Sequence, residues 1–301
     1  MTMTYKIKIA ALLAIFLWAS AFVGIRAGMQ DYSPEGLALL RYIVASICMG
    51  IVYFWWPKRN VIPFRDVIAL LGVGVFGIGV YNLSLNYGEL SISSGTASFI
   101  ISQSPVITAI LALFFLREEL KFTHVLGFMA SIFGVALITL GEKGGFNYDS
   151  GLFYILIATF AGSCYSVLQK PFLKKYHAIE TTTYAIWGGT LFLAFYTPHL
   201  RNDLAHASLN TTLIVIYLGV FPAALGYVGW SYVLSAIPVS RAVSFLYFTP
   251  VAATVLGWVW LNESPARLSI LGGLIAILGV WLVNQSYRLS IGFKRVQQKM
   301  T

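Results

Sequence analysis

The chain has 301 residues, of which 58% are apolar and only 10% charged, and its formal net charge is +9. A soluble globular domain is roughly 45–50% apolar and about 25% charged, so the two soluble domains that the length would allow are excluded. Whole stretches of about twenty residues hold no Asp, Glu, Lys or Arg, which is enough helix to cross a hydrocarbon core roughly 30 Å thick.

Ten such spans are expected, at residues 7–27, 35–56, 66–88, 93–116, 121–141, 149–171, 181–200, 211–235, 240–261 and 265–287. The first follows Lys6 and Lys8, and Ala19-Ser20-Ala21 has the look of a signal-peptide cleavage site. Its apolar run continues to Ile25, however, and the second half of the chain contains a matching segment, so it is read as a retained helix. Tyr32-Ser33-Pro34 separates spans one and two, and the second carries Arg41. Trp56-Pro57-Lys58 precedes the third span, which only a few residues join to the fourth. Gly141-Glu142-Lys143-Gly144-Gly145 closes the fifth, and Thr197-Pro198-His199 the seventh. The apolar runs are continuous and too long for membrane strands. The expected fold is an all-α membrane protein of ten transmembrane helices.

Ten spans put both termini on one face. With the amino terminus inside, Arg26, Lys143, Arg201 and Arg267 are left outside, Arg41 lies within a span, and the other 15 of the 20 basic residues fall on interior segments. The positive-inside rule therefore places both termini in the cytoplasm, as in a multi-pass protein of a bacterial inner membrane. It also accounts for the net charge: the basic tail, 288–301, reads as a topology and headgroup anchor, with no nucleic-acid partner. Cys48 and Cys164 fall in apolar spans as small hydrophobes, and no spacing calls for a metal, a cofactor or a disulfide framework.

The chain repeats itself. At an offset of 145, Pro105 falls on Pro250, Leu116 on Leu261, Glu118 on Glu263, Gly127 on Gly272 and Gly134 on Gly279. Upstream, a one-residue shift brings Ser98-Phe99-Ile100 onto Ser244-Phe245-Leu246 and Tyr81 onto Tyr227, and Ser20-Ala21-Phe22 resembles Ser163-Cys164-Tyr165. The expected division is a first repeat over 1–145, a second over 146–287 and the tail. Five spans per half is an odd number, so the halves enter the membrane in opposite senses, an inverted repeat of the kind that transporters use for alternating access.

With a Pro followed thirteen residues later by Glu, and then a Gly pair on the next helix, in both halves, the chain resembles the drug/metabolite transporter superfamily, and within it the EamA-type ten-helix exporters and permeases. Trp18-Ala19-Ser20-Ala21-Phe22 and Arg41 suit that pattern. The resemblance runs from about residue 10 to 287 and implies carriage of small organic solutes, among which amino acids, other metabolites and drugs all occur.

Prolines inside spans remove backbone hydrogen bonds and kink helices. Pro105, Pro222 and Pro250 would release the carbonyls of Ile101, Leu218 and Leu246, and unpaired backbone is tolerated at membrane depth only inside protein or beside water. Pro105 and Pro250 are thus expected to kink helices four and nine on either side of a central chamber. Polar and aromatic residues gather at that depth, and the candidate substrate-binding set is Trp18, Ser20, Arg41, Tyr81, Asn82, Ser98, Ser102, Gln103, Tyr165, Trp187, Tyr227, Trp230 and Tyr247. Interhelical glue and interfacial aromatic belts are the alternative reading of any one of them, and belts do not form at the midplane. Arg41 has its own alternative, snorkelling to the outer interface; facing a wet cavity instead, it would attract a substrate carboxylate.

No Asp, Glu or His falls in the middle of a span, so proton coupling has no carboxylate to rest on, and facilitated diffusion or exchange is equally compatible. Glu118 and Glu263 read as helix-end or gate partners for nearby basic residues. No HExxH or GxSxG pattern is present, and the four His lie in or near loops, which argues against an intramembrane enzyme. The expected partners are the lipid bilayer and a small-molecule substrate, carboxylate-bearing metabolites such as amino acids leading. A multidrug exporter of cations, or a membrane receptor or scaffold, is the alternative.

Overall fold

The computed structural model describes residues 4–91, 97, 100–141, 150–261, 266–268 and 270–283, and no strand occurs among them. Ten apolar helical segments follow in order among the described residues. They are α1 (Tyr5–Gly28), α2 (Pro34–Trp55), α3 (Phe64–Glu89), α4 (Ser104–Leu116, with a short helical stretch before it), α5 (Phe122–Gly141) and α6 (Ser150–Leu168, extended by Lys170–Leu173). Then come α7 (Ala178–Leu193), α8 (Leu209–Ala236), α9 (Val239–Val243, Ser244–Tyr247 and Phe248–Leu261) and α10 (Ile270–Val283). Leu12, Phe16, Phe114, Phe115 and Leu274 stand exposed on the outside while Ala11, Ala14 and Ile15 are buried. Apolar side chains on the outside of a bundle whose backbone is satisfied within its own helices suit hydrocarbon, not water.

Local chemistry starts the helices where turns were read. Ser33 Oγ accepts from Gly36 N at 3.1 Å and Pro34 opens α2, the preferred pairing of a hydroxyl cap with a proline that needs no donor. Glu180 and His177 form a capping box on α7, and Ser208 caps α8 by accepting from Thr211 N at 3.2 Å. The seventh span ends earlier than expected. Thr197-Pro198-His199 is not its closing turn but the first turn of a separate polar helix, Thr197–His206, because proline is tolerated where a helix begins. Asp203 of that helix accepts from Ser33 N at 2.9 Å and Ser33 Oγ at 2.7 Å.

The inverted repeat is visible where α5 crosses α10. A Cβ added to Gly134 would lie 2.5 Å from Ala276 N and from Gly272 O, and one added to Gly127 would lie 2.8 Å from Gly279 O. At the 145-residue offset Gly272 is the counterpart of Gly127 and Gly279 that of Gly134. Each glycine therefore packs on the counterpart of the other, the reciprocity that a twofold axis imposes. Ser131 Oγ donates to Ala276 O at 3.3 Å, and Ala276 is the counterpart of Ser131 itself, so the axis passes between them. It is perpendicular to two antiparallel spanning helices and thus lies in the membrane plane.

A second shared feature was not expected. Both α3 and α8 widen into a π turn, Val75–Val80 and Gly219–Gly226, each ending immediately before a tyrosine, Tyr81 or Tyr227. Pro222 stands inside the second, but the first has no proline, so the repeat and not Pro222 accounts for the widening. The expectation for the other two prolines also needs correction. Neither stands in the middle of a regular α-helix: α4 is interrupted by a turn at Ser102 and Gln103 and restarts at Ser104, with Pro105 in its first turn. In α9, a 3-10 stretch, Ser244–Tyr247, precedes the segment Phe248–Leu261, with Pro250 near its start. The missing amide of Pro105 falls where a helix start has no partner to offer it.

Candidate functional site

A cavity of about 100 Å³ lies between the halves and takes its walls from α1, α2, α3, α4, α6, α8 and α9. Eight of the expected residues line it: Trp18, Arg41, Tyr81, Asn82, Ser102, Tyr165, Tyr227 and Trp230. Trp18 packs at 5.5 Å, centroid to centroid, against both Tyr227 and Trp230, and Tyr165 packs at 5.5 Å against Tyr227. Trp18 Nε1 donates to Pro222 O at 3.2 Å, which locks the indole onto the wide turn of α8. Gly77, inside the wide turn of α3, has no side chain because the Tyr165 ring occupies that space.

The polar wall is built around Arg41. That residue is 3% exposed and lines the cavity, not the outer face of the bundle. Nη1 donates to Asn82 Oδ1 at 3.1 Å, and the guanidinium carbon stands 5.5 Å from the Tyr42 ring centroid. Asn82 is itself fixed, since Nδ2 donates to Tyr42 OH at 2.7 Å and to Ile78 O, within the wide turn, at 2.9 Å. Arg41 makes no ion pair among the described residues, and its Nε is buried without a partner. A fixed, desolvated guanidinium with an unused Nε–H has the chemistry to hold an anion.

On the face that carries the amino terminus, polar contacts tie helix ends together. Ser231 Oγ donates to Gln169 Oε1 at 3.0 Å and accepts from Thr182 Oγ1 at 2.7 Å. Lys170 Nζ donates to Leu234 O and, at 2.8 Å, to Ile237 O, carbonyls at and just past the carboxyl end of α8. Glu118, at the end of α4, accepts from Val239 N at 2.7 Å, Ser240 N at 2.9 Å and Ser240 Oγ at 2.6 Å, the first groups of α9. A cation thus sits on a helix carboxyl end and an anion on a helix amino end, each where the macrodipole favours it. Glu118 was expected to be a helix-end or gate partner for nearby basic residues; it caps the start of α9, and its charge also bears on Lys170, while Glu263 lies outside the described residues.

The model of the family described as the EamA-like transporter family matches this chain twice, over residues 6–140 and 149–285. The chain belongs to the EamA-like transporter family. It is 39% identical over 278 residues to a Bacillus subtilis protein named as the uncharacterized transporter YdfC, covering 92% of this chain and 90% of that one. It is 34% identical over 286 residues to a probable terminal-alkyne amino-acid exporter of Streptantibioticus cattleyicolor, covering 95% of each. A probable amino-acid metabolite efflux pump of Salmonella typhimurium is 23% identical over 291 residues, with 93% of this chain and 95% of that one covered. A solved crystal structure of a 17% identical protein shares the fold with a TM-score of 0.76, over 95% of this chain and 99% of that one. The protein is an integral, multi-pass member of the drug/metabolite transporter superfamily.

In this EamA-like chain four expected site residues stand away from the cavity. Ser20 is buried, its hydroxyl donating to Leu17 O at 2.7 Å and sharing a 2.8 Å hydrogen bond with Tyr217 OH. Trp187 packs with Tyr53 and Tyr184 at 5.7 and 5.4 Å and donates to Ser46 O at 3.4 Å. Tyr247 is wholly buried, its ring 6.3 Å from Phe128. Gln103 belongs to the turn of α4 and does not line the cavity, and Ser98 lies outside the described residues. Thr159 and Ser166 of α6 line the cavity but were missed. With Ser163 they form a polar stripe at i, i+4 and i+7 in an otherwise apolar run, and that was the signal available. Ile101 and Leu246, each four residues before a proline, line it as well.

Proposed function

We propose that this metabolite transporter carries amino acids or related carboxylate-bearing solutes, binding them in the cavity between its inverted halves and exposing them to each side in turn. The observation that carries this reading is Arg41, buried in the cavity wall with its Nε unpartnered and no ion pair among the described residues. Asn82 orients the guanidinium, which holds a carboxylate through paired donors. Trp18, Tyr227 and Trp230 offer faces to the apolar or ammonium part of the solute, and Ser102, Thr159 and Ser166 offer hydroxyls. The names given to the Streptantibioticus and Salmonella relatives point to the same solute class. An exporter of drug-like cations would use the same aromatic faces, but Arg41 repels cations from this cavity. The protein acts without a cofactor or metal, in a bacterial inner membrane with both termini in the cytoplasm. Its repeats divide near residue 146, and its tail follows residue 287.

Flux into liposomes at matched reconstitution, for wild type, Arg41→Lys and Arg41→Gln, tests the reading with anionic, zwitterionic and cationic solutes. The expected result is loss of carboxylate-bearing solutes in Arg41→Gln and partial loss in Arg41→Lys, whose ammonium lacks the bidentate fork. Unchanged discrimination in Arg41→Gln overturns it.

A further inference from the structure

By its place in the sequence Glu89 is a helix-end residue, yet the fold buries it. It is 5% exposed, and both carboxylate oxygens are inaccessible and without hydrogen-bond partners. It lies seven residues after Asn82 and four after Leu85, both of which line the cavity, so the helical period sets all three on one stripe of α3. The charges that bear on it through space are Arg26 of α1 and Arg41 of α2, and neither bonds to its oxygens. The one acid of α2, Glu35, is engaged by Tyr87 OH. On α3 itself, Asn86 donates to Pro34 O at 2.8 Å. From α6, which packs on this stretch through Ile155 against Gly88, come Thr159, donating to Ile155 O at 2.7 Å, and Tyr154, stacked on Tyr87 at 5.4 Å. None of these groups satisfies the carboxylate. An ionised, unpartnered carboxylate is among the costliest groups to bury in a membrane protein, and a bound proton removes the charge.

We propose that Glu89 is a proton-binding site coupled to the anion site at Arg41: a proton on Glu89 and a carboxylate on Arg41 favour one another. The coupling follows from charge. Arg41 is one of two cations that favour ionised Glu89, and a solute carboxylate neutralises it, so anion binding strengthens proton binding. By linkage the proton strengthens anion binding by the same factor. The coupling rests on the proposed function, since it takes Arg41 to be the substrate's anion site; the proton site does not.

Two measurements on the purified full chain separate these claims. Infrared difference spectra across a pH titration, without solute, are expected to show the carbonyl stretch of a protonated carboxylic acid that is missing in Glu89→Gln and in the apolar Glu89→Met. Identical spectra for wild type and both variants overturn the proton site, whatever the protein transports. The second measurement is the dissociation constant of a carboxylate solute, with an amino acid as the probe, against pH. The wild-type constant is expected to rise as pH rises, by up to about tenfold per unit, with proton uptake on binding, and to be flat in Glu89→Gln. The same pH dependence in both proteins overturns the coupling. If no carboxylate solute binds wild type, the proposed function and the coupling fail together, and the infrared band still decides the proton site.

Discussion

Replacing Gly134 by Ala tests the twofold crossing of α5 on α10. The added methyl would sit 2.5 Å from Ala276 N and Gly272 O, where ordinary contact begins at 3.4 Å. Both obstacles are backbone, so no side chain can swing aside and the helices must part locally by about 0.9 Å. Overpacking of this kind costs about 1–3 kcal/mol. Gly72 on α3 provides the reference, because a Cβ there meets nothing within 4 Å, and Gly72→Ala keeps only the gain in helix propensity of roughly 1 kcal/mol. The two single variants should therefore differ by about 1–3 kcal/mol, read as the shift of the thermal unfolding midpoint in one detergent. Gly272→Ala, whose Cβ would meet Gly134 O, should cost about as much as Gly134→Ala. The double variant should cost less than the sum, since helices already parted admit the second methyl more easily. A Gly134→Ala protein as stable as Gly72→Ala refutes the close crossing and the symmetry argument built on it.

Trp230 is 1% exposed and lines the cavity, so Trp230→Ala should lose roughly 3–5 kcal/mol of stability and its transport, while Trp230→Phe keeps much of both. Tyr247→Ala should be destabilising without changing the apparent affinity for solute, because its ring packs on Phe128 and not on the cavity; a changed affinity at unchanged stability would return Tyr247 to the site. Glu118→Gln weakens the charge-assisted cap on α9 by roughly 1.5–3 kcal/mol. It should raise the reactivity of a cysteine placed at Ser166 toward a thiol reagent applied from the amino-terminal face, and unaltered labelling would show that this cap does not hold the cavity shut.

The ten spans were legible because membrane helices announce themselves by length and by lack of charge. The symmetry was legible because Pro105, Glu118, Gly127 and Gly134 each have a counterpart at one offset; that Gly127 packs on Gly279 and not on its own counterpart follows only once the axis is placed. Rotation of each helix about its axis was much less legible. In a bilayer both the lipid face and the packed face are apolar, so periodicity does not tell Tyr227, which lines the cavity, from Tyr247, which does not. The wide turns of α3 and α8 shift that phase further, and the sequence Val75–Val80 contains nothing that marks one. Glu89 illustrates a different gap. Its position along the chain placed it at a membrane surface, whereas its burial depends on how neighbouring helices close over the end of α3.

The pair Ser131 and Ala276 on the axis carries an evolutionary consequence. Were the two halves separate copies of one polypeptide related by that twofold, any position on the axis would face itself, and a hydroxyl there would have to face a second hydroxyl. A single covalent chain is free of that rule. Here one side offers a donor and the other, with only a methyl, exposes its carbonyl to receive it. A single chain thus allows unlike groups, a hydroxyl and a bare carbonyl, to meet at the spot where identical subunits would bring like groups together.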